Sequence, residues 1–425
     1  MRFDTLQIHA ATEPFGQFGA RQLPIYPGNA FLFGTFERAR DLFALDASGP
    51  IYTRIGNPSV AALEARVSAL EGGQAAVGFA SGQAAETAAF LNVLRAGDHI
   101  VSSPVIYGGS YNLIKHTLGH LGIESTFVAQ PESPEAWAEA IRPNTRLLFT
   151  ESIGNPKNSV YDYAAIADVA SAHRILFCID NTAATPYLFQ PFAHGADLVV
   201  HSASKFLGGH GVAIGGLVVD HGRFDYAASG RYPMMLERDP SYRLSFADRF
   251  GVLAFAERLR CNILRDMGPS MSPFTAWLIA QGIETLSLRM ERHVSNALTI
   301  ARWLEERPDI AAVHYSGLPS SPYHDAAKRY LPKGQGAVFC FELRGGYERA
   351  ARFVGSVELF SHAANIGDLR SLVMHPASTT HSQMSDEEQE LAGLSPGSIR
   401  LSVGLEAIED LIEDLERGLK KSKRA

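Results

Sequence analysis

The sequence has 425 residues, 46% of them hydrophobic and 20% charged, with a formal net charge of -7. That length and apolar share allow a large core split between two or three domains, and the acidic balance argues against nucleic-acid or anionic-membrane binding, either of which would want a basic face. No apolar run approaches the roughly 20 residues that span a bilayer, and Cys178, Cys261 and Cys340 are too scattered for a disulfide framework or zinc site, so a cytoplasmic chain with buried thiols and no metal is expected.

Residues 1–60 are rich in glycine, proline and aromatics, with "LPIYPGNAFLFG" and "IYTRIGNPS" among them. They are expected to form an extended arm packed on a neighbouring subunit rather than a domain. The opening "MRFDTLQIHAATEP" lacks the basic-then-apolar pattern of a signal peptide. From 61 to 262, the strand-like runs "AAVGFASG", "DHIVSSPVIYGG", "RLLFTES", "ILFCID", "DLVVHSASK" and "GGLVVD" alternate with helical patterns such as "AETAAFLNVLRAG" and "YAAIADVASAHR". Gly97 suits a C-cap for the first of these helices. The alternation predicts an α/β fold whose mostly parallel central sheet carries helices on both faces. Residues 263–425, with the long amphipathic "SPFTAWLIAQGIETLSLRMERHVSNALTIARWLEER" followed by "AAVHYSG" and "GAVFCFEL", predict a smaller α+β domain. The terminal "KKSKR" reads as a frayed, solvated end.

Ligands of open parallel sheets bind beyond the carboxyl ends of the strands, so the residues ending each run are candidates for chemistry. They are Ser81, Gly82 and Gln83; Tyr107; Glu151; Asp180; and His201, Ser202, Ser204 and Lys205. Lys205 in "HSASKFLGGHG" precedes its glycines, the reverse of a nucleotide phosphate loop. It reads either as a solvated surface charge or as an amine that forms a Schiff base with a carbonyl cofactor. Asp180 reads as a cap for the following segment or as the anionic partner of a cofactor ring nitrogen. The Ser81-Gly82-Gln83 turn is an ordinary strand-to-helix junction or a phosphate site at a helix start, to which Ser202 and Ser204 could add hydroxyls. Tyr107 offers packing or an aromatic face for stacking. Arg400, inside the apolar run "SIRLSVGLE", is an edge-strand arginine facing water or the holder of a substrate carboxylate. His201 and His210, which flank the lysine, read as polar loop residues rather than metal ligands.

Taken together, "YTRIGNPS", "ASGQAA", "YGGSYNL", "ESIGNP", "DNTAATPYL", "HSASKFLGGHG", "NIGDLRSLVMHPASTTHSQM" and "SIRLSVGLE" resemble, in order, the Cys/Met-metabolism enzymes that use pyridoxal 5'-phosphate (PLP) on the fold of aspartate aminotransferase. "YGGS", the long helical segment and "NIGD" are similar to the branch acting on O-acetylhomoserine. The resemblance implies that Lys205 holds the cofactor and moves protons, that Asp180 pairs with its ring nitrogen and that Tyr107 stacks on the ring and assists catalysis. Ser81, Gly82, Gln83, Thr182, Ser202 and Ser204 would bind the cofactor from the same chain, while Tyr52 and Arg54 reach the phosphate of a neighbouring subunit. Asn155, also beside the cofactor, would join Asn365 and Arg400 in receiving the substrate carboxylate; Glu151 matches a position whose role stays open. The activity implied is γ-replacement on O-acetyl-L-homoserine or a related O-acylhomoserine by sulfide or a thiol, through a vinylglycine-like intermediate, in a homodimer of sites and a homotetramer. A γ-elimination lyase is the rival reading, against which Gly109 weighs, since the methionine-cleaving lyases carry a cysteine there. "PIYPGNA" departs from the family's "PIYQTTS", which bears on the exact substrate.

Overall fold

The chain is described here by a computed structural model, which covers residues 1–11, 19–382, 385–391 and 393–423. Gln383 and Met384 of the quoted "HSQM", Arg424 of "KKSKR" and the end of the opening segment therefore lie outside the described residues. Seven strands, β1 (Ala75–Phe79), β2 (His99–Ser102), β3 (Glu124–Phe127), β4 (Thr145–Glu151), β5 (Leu176–Asp180), β6 (Leu198–Ser202) and β7 (Gly216–Asp220), form one sheet in the order β1-β7-β6-β5-β4-β2-β3. β2 to β6 pair in parallel, whereas β7 runs antiparallel to both β1 and β6.

The central strands are apolar on both sides, and their period of two sorts them into two cores. Leu147, Phe149, Leu176, Cys178, Leu198 and Val200 face one core; Leu148, Phe177, Ile179 and Val199 face the other. A sheet buried twice over needs helices on each face. The helix Pro58–Glu71 supplies Val60, Leu63, Val67 and Leu70 to the second core, and the helix Gly82–Leu91 supplies Ala85, Ala88, Ala89 and Phe90 to the first. Local chemistry sets the ends of Pro58–Glu71. The Asn57 side chain accepts the Ser59 N–H, Pro58 occupies the first turn and Gly72 closes the helix at φ +78°.

A second sheet comprises β8 (Ile310–His314), β9 (Val338–Leu343), β10 (Ser361–His362), β11 (Leu372–Met374) and β12 (Ser398–Ser402) in the order β10-β11-β12-β9-β8. β12 lies between β11 and β9, with Arg400 opposite Met374 and Cys340. Arg400 is thus on an inner strand, not at an edge.

Several expectations are corrected. The helix expected to end at Gly97 stops at Leu91 with Asn92 as cap; Gly97, at φ +87°, belongs to the turn before β2. The long C-terminal helical pattern is two helices, Pro273–Ile283 and Leu286–Glu305. The segment 1–60 is not uniformly extended, since Phe3–His9 and Phe36–Phe43 are helical. The basic tail is not frayed up to Lys423, because the helix Ile408–Ser422 runs through it, and Lys421 and Lys423 pair with Glu358 and Asp309 at 3.3 and 2.7 Å. His201 is no loop residue: it is buried in β6, its Nε2 2.6 Å from Glu71 Oε1. His210 does sit in the loop, its ring against the Gly208 carbonyl. All three cysteines are buried and free.

Candidate active site

β1, β4, β5 and β6 deliver their ends to one cavity of about 480 Å³. Every residue assigned from the sequence to cofactor or substrate within one chain lines it, and so does Glu151. Tyr52 and Arg54 do not. Tyr52 is 40% exposed, and the Arg54 side chain donates to the Arg265 carbonyl.

The cavity begins where β1 turns into the helix Gly82–Leu91. Ser81 caps that helix by accepting the Ala84 N–H at 3.0 Å, so Ser81 performs the junction role that the sequence left open. The first N–H groups, those of Gly82 and Gln83, have no acceptor within the helix. A Cβ on Gly82 would meet Ser202 Cβ at 2.5 Å, and one on Gly216 would meet the Ser81 carbonyl oxygen at 2.1 Å. These two glycines bring the positive helix end down onto the end of β6 at Ser202 and the turn carrying Ser204, which makes an anion cradle. Part of the hydroxyl set is already engaged: Ser204 Oγ bonds the Gly215 backbone, and Thr182 Oγ1 accepts the Ser202 N–H at 2.7 Å.

Lys205 follows in the turn after β6. Its Nζ donates to Asn365 Oδ1 at 2.6 Å. Burial first, and then the Arg400 guanidinium, hold the amine below the ordinary lysine range. Arg400 is 3% exposed and donates to Asn155 Oδ1 at 3.3 Å and to the Asn365 carbonyl at 3.2 Å. Across the cavity lie the carboxyls. Asp180 Oδ1 accepts the Thr182 N–H at 2.8 Å, so the local cap exists, yet the same side chain lines the cavity. Glu151, in register with Asp180 on the adjacent strand, takes the Tyr107 N–H at 2.6 Å and the Asn155 N–H at 3.0 Å. Its carboxylate ties the Tyr107 loop to the Asn155 loop.

Two buried residues went unnoticed in the sequence. Glu86, on the helix above the cradle, lines the cavity and takes the Ser110 hydroxyl at 2.8 Å. Arg289 donates to the Phe206 carbonyl at 2.7 Å and the Gly282 carbonyl at 2.6 Å, pinning the loop after Lys205. A Cβ on Gly209 would meet its Nη1 at 2.0 Å, and Gly209 also has φ +74°.

An amine, an acidic wall and a helix-start anion cradle fit a phosphorylated pyridine aldehyde, and the buried guanidinium fits an amino-acid carboxylate. Comparison with known proteins agrees. A model of the Cys/Met metabolism PLP-dependent enzymes matches residues 4–420. The chain is 49% identical over 421 residues to O-acetyl-L-homoserine sulfhydrylase 1 of Thermus thermophilus, covering 99% of this chain and 100% of that protein. Its fold superposes with a TM-score of 0.96 on a Campylobacter jejuni structure assigned as an O-acetylhomoserine (thiol)-lyase, 39% identical and covering 99% of this chain and 100% of that one, which carries N'-pyridoxyl-lysine-5'-monophosphate at its position 205. Cystathionine γ-lyase of Lactobacillus plantarum, solved with L-serine, follows with a TM-score of 0.86 and 35% identity over the full length of both chains. The chain belongs to the Cys/Met metabolism family of PLP-dependent enzymes.

Proposed function

We propose that the protein catalyses γ-replacement on O-acetyl-L-homoserine or a related O-acylhomoserine, exchanging the acyloxy group for sulfide or a thiol to give homocysteine or methionine plus acetate. The observation that carries this reading is the placement of the Lys205 amine on Asn365, in one cavity with the buried Arg400. When bound, PLP supplies a carbonyl for the substrate amine and a ring that stores the electron pair released at the α-carbon.

The chain's own residues do the rest. The N–H groups of Gly82 and Gln83, with Ser81, Ser202 and Ser204, would hold the phosphate; Tyr107 would cover the ring; Asp180, positioned through Thr182, would pair with the ring nitrogen. Arg400, Asn155 and Asn365 receive the substrate carboxylate and so orient the α-carbon. Lys205, whose amine burial and Arg400 hold below the ordinary lysine range, would take the α-proton, hand it on to the cofactor-bound substrate so that its lone pair is free again, and then take a β-proton, which allows acetate to leave from Cγ. It returns protons after sulfur has added. One flexible four-carbon stem serves both carbons. Tyr52 and Arg54, exposed and outside this cavity, would complete the phosphate site of a neighbouring subunit, in a homodimer that pairs again into a tetramer. That assignment treats 1–60 as the intersubunit arm, 61–262 as the PLP domain and 263–425 as the C-terminal domain. Among the described residues no helix is long and apolar enough to cross a membrane, and we place the enzyme in the cytoplasm.

The fold likeness to a cystathionine γ-lyase keeps one second reading, γ-elimination to a keto acid and ammonia. Purified protein given O-acetylhomoserine, O-succinylhomoserine, cystathionine or methionine, each with and without sulfide, separates the two by product analysis. Sulfide-dependent homocysteine with acetate is the expected result; keto acid and ammonia at the same rate without sulfide would replace our reading with the lyase.

A further inference from the structure

We propose that Glu86 is a positioning residue that carries a proton on Oε2 and donates it to Asp180, fixing the Asp180 carboxylate as the anion that faces the cofactor ring. The inference rests on the reading of Asp180 as the ring partner.

Glu86 is only 4% exposed. Its Oε1 is satisfied by the Ser110 hydroxyl, but its Oε2 is buried and receives no hydrogen bond. The titratable groups around it are Asp180, Glu151 and the Cys178 thiol, and no cation is paired with it among the described residues. Neighbouring carboxyls at the wall of one cavity do not all ionise, because each charge raises the cost of the next. Hydrogen bonding decides which of them keeps the proton. Burial and the Asp180 charge push Glu151 up as well, but Glu151 accepts two backbone N–H groups and lies near the Arg400 guanidinium, and Asp180 accepts one N–H; such donors favour the anion, and Glu86 accepts only the Ser110 hydroxyl. As an anion, Glu86 would leave Oε2 buried and unsatisfied; as an acid, the same atom becomes a donor beside an acceptor. Burial and the Asp180 charge together push the Glu86 carboxyl well above the usual range, in the same direction. Asp180 is then held by the Thr182 N–H and the Glu86 O–H, which leaves its remaining lone pairs for the cavity.

The test uses holoenzyme carrying Glu86→Gln or Glu86→Leu. Above about pH 8, where Asp197 and Asp220 have ionised, infrared difference spectra of the wild type against each variant should contain the C=O band of one buried protonated carboxyl that both variants lack. The Gln amide can donate from the same place, whereas Leu cannot. Glu86→Leu should therefore lose about tenfold or more in kcat with KM within about twofold, and its bound cofactor should change its visible absorbance at a shifted pH, while Glu86→Gln recovers most of that loss. A wild type without the acid band, a band that survives in Glu86→Gln, or a Glu86→Leu enzyme that matches Glu86→Gln in both kcat and absorbance would each overturn the proposal. If Glu86→Leu does not fold, the band in wild type and Glu86→Gln decides alone. Asp180→Asn separates the two layers of the argument. Normal turnover in Asp180→Asn alongside an intact acid band removes the ring-partner reading, whereas a slow Asp180→Asn with no acid band in wild type removes only the role of Glu86.

Discussion

The two ends of the large sheet both bury carboxyls, and they do different things with them. At the carboxyl end, Asp180, Glu151 and Glu86 surround a cavity that also holds Lys205 and Arg400. At the amino end, Asp197 and Asp220 lie outside that cavity, and each accepts a backbone N–H, from Phe177 and from Gly222, both at 2.9 Å. Burial pushes Asp197 and Asp220 up to about 7. A displaced titration therefore does not by itself mark a site. At the amino end the carboxyls tie strand ends to turns; at the carboxyl end they face an amine, a guanidinium and an anion cradle across open space.

The contrast is sharpest at Lys205. Lys205→Ala should lower turnover by at least about 10²–10⁴-fold, the range for removing a positioned acid–base group, and more because the same amine would hold the cofactor. Borohydride trapping and peptide mapping of the wild type should label Lys205. Label on Lys115 or Lys157 would move the site. Arg400→Ala should follow, with kcat/KM lower by about ten- to a hundredfold, as expected for losing a charged hydrogen-bonding partner, and with much of that change in KM. An unchanged KM for the amino-acid substrate would mean that Arg400 supports Asn155 and Asn365 without meeting the carboxylate.

What could be read from the sequence follows this same division. Lys205, Asp180 and Arg400 were legible because each interrupts or ends an apolar run, where a charge needs a reason. The antiparallel β7 was legible in principle: the segment between Ser202 and Gly216 carries no helix, and a parallel crossover needs one. β3, "ESTF", has too little apolar alternation to announce a strand. Glu86 and Arg289 were hidden because a charged residue on a helix ordinarily belongs to its wet face. Yet "GQAAETAAFL" holds no other charged residue, and a lone carboxyl in so apolar a helix is the signal that could have flagged it. Tyr52 and Arg54 illustrate a different limit, since the neighbouring subunit's phosphate site proposed for them would lie beyond one chain.

At the amino end the prediction concerns stability, not chemistry. The folded Asp220 carboxyl titrates at about 7, against the ordinary value of 3.8. The folded chain therefore holds a proton that the unfolded chain has already released between these values. Stability from this group is fully present below about pH 4, falls as pH rises toward 7, and levels above it. Asp220→Asn has no proton to lose. Relative to wild type it should gain on the order of 4 kcal/mol as the pH moves from about 4 to about 8, while turnover with O-acetylhomoserine stays at the wild-type level. Thermal melts across that pH range check the slope, and parallel profiles for the two proteins would show that Asp220 does not carry it.

The smallest effect expected at the cavity is at Gly109, which lies against the Tyr107 ring. Its backbone needs no left-handed conformation, so the cost of a side chain there is purely spatial. A Cβ would meet Tyr107 Cε1 at 2.4 Å and Cζ at 2.9 Å. Nothing else is that close, and the Tyr107 backbone remains fixed by its N–H bond to Glu151. Gly109→Ala should thus displace the Tyr107 ring while leaving its loop in place. Loss of an aligned aromatic contact is worth roughly 0.5–1.5 kcal/mol, so cofactor retention should weaken by about two- to tenfold. Gly108→Ala is the harsher neighbour, because there a Cβ would meet the backbone oxygen of Thr380 at 2.3 Å and no ring can swing aside to relieve it. Dialysis against phosphate buffer with absorbance of the retained cofactor measures both. If Gly109→Ala retains cofactor as wild type does, then Tyr107 can cover the ring from more than one orientation; if it loses as much as Gly108→Ala, the two glycines clear backbone space for the loop rather than space for the ring.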